Sequence, residues 1–158
     1  MRTETKKEIL LCYKFFMKGK VLEELIFLAG WGHLALCVGS LMIPRVLKWS
    51  FYLKNLQPLL RQMFWTYAAY ILVINASFGI ISICGSDELL NKSFLAASIT
   101  LFISVYWLGR IGIQFFYFDK TDAPKGVIFT LGEVALVSLF IIFAGVYGAA
   151  FLFNMQWI

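Results

Sequence analysis

The sequence predicts an all-α integral membrane protein, a four-transmembrane-helix bundle. It carries an amphipathic N-terminal helix and an amphipathic interfacial segment between its first two spans. Three observations predict this. Of 158 residues, 61% are hydrophobic and 15% charged, against about half and about a quarter in soluble domains. Four segments each supply the roughly 20 apolar residues that cross a bilayer. The breaks between them hold proline, glycine and charge, the residues that end helices.

The leader, residues 1–20, is too polar to span. Ile9, Leu10, Tyr13, Phe16 and Met17 recur at helical spacing, with Lys6, Lys7, Lys14 and Lys18 largely elsewhere. A short helix on the membrane surface follows from that pattern. The first span covers about 25–43 and stops at Pro44. A long apolar run without a small-x-small cleavage site argues that it is retained.

Residues 44–62 combine Arg45, Lys48, Lys54 and Arg61 with many apolar residues and no acid. Trp49, Phe51 and Tyr52 suit the interfacial aromatic belt. Surface anchoring is the expected role of this segment. The second span covers about 63–85 and closes at Gly85-Ser86-Asp87-Glu88. The third, about 94–118, is separated from the fourth, about 127–153, by DKTDAPKG, where Pro124 suits a helix start. No repeat or linker divides the chain, so residues 1–158 read as a single membrane domain.

Four spans put both termini on one side. That side carries Arg2, Lys6, Lys7, Lys14, Lys18, Lys20 and Lys92; the loop side carries Arg45, Lys48, Lys54, Arg61, Lys120 and Lys125. The basic residues before the first span favour a cytoplasmic N-terminus, and the expected location is a bacterial inner membrane. The net charge of +5 belongs to these flanks, where anionic headgroups attract it. It forms no separate basic patch, which excludes nucleic acid as a partner. Cys12, Cys37 and Cys84 are odd in number and lack CxxC spacing, so no disulfide framework is indicated.

Ionisable residues at membrane depth mark where chemistry would occur, because each costs roughly 2.5–3.5 kcal/mol at a helix centre. Arg110 lies about 12 Å inside the third span, and Glu133 about 9 Å inside the fourth from the same side, at 1.5 Å per residue. An ion pair between them, direct or through one water, is expected. Tyr106, Arg110, Gln114 and Tyr117 share one helical face. Gln62, Thr66 and Tyr70 do so on the second span, His33, Cys37 and Ser40 on the first, and Thr130 stands beside Glu133. These stripes are expected to converge into one polar layer. Toward the terminal side the spans offer only uncharged polar groups, including Asn75, Ser77, Ser98, Thr100 and Ser104, whose hydroxyls can bond their own helix backbone.

Arg110, Gln114, Glu133, His33, Tyr70 and Tyr106 are therefore the candidate ligand-binding residues. The ligand would be a lipid headgroup, with Arg110 holding its phosphate or carboxylate. His33 and Cys37 at i, i+4 supply two metal ligands where zinc needs three or four. A hydrogen bond from His33 to Tyr70 or Asn75 is the plainer expectation, and no cofactor or metal is expected. Catalytic motifs are absent from the sequence.

The leading expectation is a non-catalytic subunit or accessory factor of a membrane complex. A membrane enzyme on a lipid or isoprenoid-like substrate is the first alternative, with Glu133 or His33 as acid or base. An oligomeric channel or transporter is the second. Small residues are expected to allow close helix approach: Gly30, Gly32, Gly109, Gly112, Ala144, Gly145, Gly148 and Ala149. Self-association through the end of the fourth span would use the last four.

Overall fold

The computed structural model describes residues 2–117 and 127–157, with side chains described for these except at 2–17 and 127–129. The break containing Pro124 and the apolar face of the leader lie outside the described residues and side chains. The described chain is all-α: α1 (Arg2–Val46), α2 (Trp49–Tyr52), a 3-10 turn (Leu53–Asn55), α3 (Pro58–Cys84), a second 3-10 turn (Glu88–Leu90), α4 (Phe94–Phe116) and α5 (Val127–Asn154). Four helices are long and apolar enough to cross a membrane, over Lys18–Val46, Pro58–Cys84, Phe94–Phe116 and Thr130–Asn154. The protein is thus an integral, multi-pass membrane protein of four spanning helices.

Three boundaries differ from the sequence reading. The leader and first span form one uninterrupted helix of 45 residues. A lone Gly19 among good helix formers costs only about 1 kcal/mol, too little to break it. Pro44 does not end that helix either. It removes one i→i−4 bond near the end, and the pattern resumes with Leu47 N–H donating to Ile43 O at 2.9 Å. The stop is Lys48, whose φ of 49° and ψ of 42° are left-handed. For a residue with a Cβ that conformation costs roughly 1–2 kcal/mol. The second spanning helix, α3, begins at Pro58, earlier than expected, because proline lacks only an N–H that the first turn leaves unpaired anyway.

Contacts divide the chain into two compact units, Met1–Phe27 with Gly85–Ile158, and Leu28–Cys84. In the first, α4 and α5 pack along their lengths. Ser104 Oγ donates to Ala144 O at 2.9 Å, while Gln114 meets Glu133 and Lys92 meets Asn154. The partners run in opposite order, so the helices are antiparallel. Trp107 fills the space between them, its ring 4.9 Å from the centroids of both Phe140 and Phe143. At the far end Asn154, nearly fully buried, works in both directions. Its Nδ2 donates to Leu89 O at 2.8 Å, and its Oδ1 accepts from Lys92 N–H at 3.0 Å. Lys92 is itself left-handed, with φ 60°.

In the second unit, α1 from Leu28 onward meets α3 at two glycines. A Cβ on Gly30 would stand 2.7 Å from Ile83 Cγ1 and 3.0 Å from Gly79 O; one on Gly79 would stand 3.1 Å from Gly30 O. Backbones this close require the missing side chains. The interfacial segment is pinned by Trp49, whose ring meets Phe64 and Trp65 edge-on at 4.8 and 5.9 Å.

The expectation for the other glycines is corrected. A Cβ at Gly109, Gly112 or Gly145 would meet nothing within 4 Å, whereas Gly148 lies 3.3 Å from Ser104 Oγ. Helical spacing identifies a face without saying whether a neighbour covers it.

Candidate functional site

The polar side chains of α4 and α5 gather at one end of the first unit. Tyr106, Arg110 and Gln114 follow one another at i, i+4 and i+8 on α4, which aligns them on one face, and all three are half-buried. Ser93 begins that helix by accepting from Ala96 N–H at 3.1 Å, a side-chain cap. Glu133, also half-buried, stands on α5 one turn inside Thr130.

The direct Arg110–Glu133 ion pair does not form. The Glu133 carboxylate accepts from Gln114 Nε2 at 3.3 Å, and the Arg110 guanidinium lies over the Phe140 ring, 5.8 Å from its centroid. The expected match in depth is corrected: the register that sets Ser104 against Ala144 and Gln114 against Glu133 places Arg110 about one helical turn beyond the acid, and the neutral amide is what reaches it. An arginine over an aromatic face is attracted through the ring quadrupole. That contact uses none of the lone-pair acceptors that the five guanidinium N–H donors call for. Among the described residues, no acceptor takes them.

Tyr106 stacks edge-on against Trp107 at 5.3 Å, and its burial fits a place beside Arg110 on the helix face. Tyr117, at the end of that stripe, is exposed.

His33 and Tyr70 belong to the second unit. His33 is fully buried. Its Nδ1 donates to Ala29 O at 2.7 Å, one turn back on its own helix, which puts the ring proton on Nδ1, since a carbonyl only accepts. The ring stands edge-on to Phe78 at 5.9 Å. The expected bond to Tyr70 or Asn75 is therefore corrected. Tyr70 is 62% exposed, and Asn75 Nδ2 donates to Ile71 O at 2.8 Å. Gln62 and Thr66 are exposed with Tyr70. The polar stripe of α3 thus faces outward instead of joining an inner layer.

Cys37 Sγ, the other half of the considered metal pair, donates to Leu72 O at 3.7 Å. Among the described residues, no three His, Cys, Asp or Glu side chains come close enough to hold a metal ion.

The hydroxyls behave largely as helix chemistry suggests. Ser77 bonds Val73 O, Ser98 bonds Phe94 O, and Thr100 bonds Ala96 O, at 2.9, 2.8 and 2.7 Å. Ser104 instead reaches across to α5. Two features escaped the sequence reading. Gly79 was one small residue in an apolar span, and Asn154 sat at a helix end, where asparagine commonly satisfies backbone groups; neither position names its partner.

These features define the class: an all-α, multi-pass integral membrane protein with a polar cluster in the α4–α5 pair. Comparison with known protein families, with curated proteins and with solved structures finds no match for this chain.

Proposed function

We propose that the protein is a non-catalytic membrane subunit or accessory factor that holds an anionic lipid headgroup at Arg110. The observation that carries this reading is the Arg110 guanidinium on Phe140, with no protein acceptor among the described residues. Arg110 lies six residues before Phe116, about 9 Å from the helix end at 1.5 Å per residue. Turned from Phe140 toward the helix end, a side chain of that length reaches the headgroup level by snorkelling. A phosphate there accepts two N–H bonds from a planar fork.

The remaining polar groups support a binding role. Gln114 occupies Glu133, and most membrane hydroxyls are spent on their own helices. Between 22% and 39% of each apolar span window is buried within the chain. Broad helix faces are thus left for lipid or for the helices of a partner subunit.

The test is lipid analysis of the purified chain. Wild type is expected to retain anionic phospholipid through delipidation, and Arg110→Gln to lose it with helicity unchanged. An unaltered lipid complement in Arg110→Gln would overturn the proposal. Turnover of a lipid substrate by the purified chain, abolished by Glu133→Gln, would replace it with the enzyme reading.

A further inference from the structure

The second unit contains an open cleft of about 680 Å³ where α1 ends. Its polar lining is Arg45, Lys48 and Ser50; its apolar lining includes Leu41, Phe51 and Trp65. That volume falls within the range of small-molecule sites, about 300–1,000 Å³. It is large enough for a phosphate-bearing headgroup and the first part of its chains.

The rim is built rather than accidental. Lys48 N–H donates to Arg45 O at 3.2 Å, and Lys48 O accepts from Phe51 N–H at 2.9 Å. Consecutive backbone bonds therefore fix Arg45, Lys48 and Phe51 relative to one another. The left-handed turn at Lys48 ends α1 and starts α2 within a few residues, and both cations line the cleft. Trp49 packs on Trp65, which also lines the cleft. Non-glycine residues in left-handed backbone are uncommon, and they cluster at ligand clamps and active sites.

The charge selects the occupant. Residues 44–62 contain four cations and no acid, and both cations of the cleft are exposed. Their amphipathic surroundings lie at the end of a membrane-spanning helix, where anionic headgroups concentrate cations. We propose that this cleft is a binding site for the phosphate of an anionic phospholipid. Arg45 and Lys48 are its anion ligands, Ser50 is a further donor, and Leu41, Phe51 and Trp65 receive the adjoining methylenes. The site shares no residue with the Arg110 cluster, so either assignment stands or falls without the other.

The experiment is native mass spectrometry of the delipidated full chain in neutral detergent. It is titrated with dioleoylphosphatidylglycerol, dioleoylphosphatidylcholine or glycerol phosphate. Wild type is expected to bind the anionic lipid at least about tenfold more tightly than the zwitterionic one. Removing two headgroup cations in Arg45→Gln/Lys48→Gln is expected to weaken anionic binding about thirtyfold. Lys54→Gln/Arg61→Gln removes the same charge outside the cleft and should change it less than about threefold. Arg45→Lys/Lys48→Arg, which keeps both charges, is expected to restore most of the binding. Equal losses in both neutralised pairs would reduce the effect to diffuse surface attraction and overturn the site. So would equal affinity for the two lipids, or displacement of the lipid by equimolar glycerol phosphate.

Discussion

Gly30 and Gly79 stand face to face: a Cβ on either would lie 3.0–3.1 Å from the other's carbonyl oxygen. No lipid-exposed helix pair needs such proximity, so α1 and α3 are held together here by backbone contact and dispersion. Gly30→Ala is expected to destabilise the protein by about 1–3 kcal/mol, the usual cost of overpacking. The control is Gly39→Ala, where a Cβ meets nothing within 4 Å. It should be neutral or stabilise by up to about 1 kcal/mol, through helix propensity. Thermal melts in one detergent read both, and equal shifts would refute the close crossing.

Asn154 offers a sharper case, because its amide serves an acceptor and a donor at once. Asn154→Leu leaves Leu89 O and Lys92 N–H without their partner, at about 1–3 kcal/mol for each group that stays buried. Asn154→Asp keeps an acceptor for Lys92 N–H but sets a carboxylate oxygen against Leu89 O. It should therefore damage the protein about as much as leucine does. Hydrogen exchange at the Lys92 amide separates the two, with protection kept in the aspartate variant alone.

Asn75 is expected to behave in the opposite way. Its Oδ1 is buried with no hydrogen-bond partner, while the residue is only 7% exposed. Asn75→Leu removes an unsatisfied acceptor and should be neutral or stabilising. A loss of more than about 1 kcal/mol in a melt would show that this oxygen is being used.

Ser104 and Ala144 carry a hydrogen bond between helices in an apolar setting. Ser104→Ala is expected to cost about 0.6 kcal/mol, the average for such bonds inside membranes. A double-mutant cycle on Gln114 and Glu133 should give a coupling of similar size. Its 3.3 Å separation is at the long end for an amide bond, so a coupling well above 1 kcal/mol would be unexpected.

The spans were legible because apolar length is a one-dimensional property: four runs of the right size exist whichever way the helices turn. Coarse depth was legible too, which is why Glu133 and the α4 stripe share one end of the first unit. Rotation was not. Tyr70, Gln62 and Thr66 keep the spacing of a polar face yet point outward, since spacing fixes which residues share a face and not what that face meets. The Arg110–Glu133 pair failed for a related reason. Counting residues from the span ends could not fix the register between the helices, which sets Gln114 opposite Glu133 and leaves Arg110 a turn further on, over the Phe140 ring. Pro44 misled because a proline forfeits its own N–H bond without stopping the residues after it from bonding, as Leu47 N–H does to Ile43 O.

At 1.5 Å per residue, the 45 residues of α1 measure about 68 Å, more than twice a 30 Å hydrocarbon slab. The helix is continuous from Arg2 to Val46, so no loop or turn marks where it would enter a bilayer from its N-terminal side. The charges nearest the apolar run are Lys18, Lys20, Glu23 and Glu24, and a boundary set by charge can be moved by editing charge. Leucine at 20, 23 and 24 is expected to shift that boundary by about one turn toward the N-terminus, a displacement that cysteine accessibility along the helix would register residue by residue.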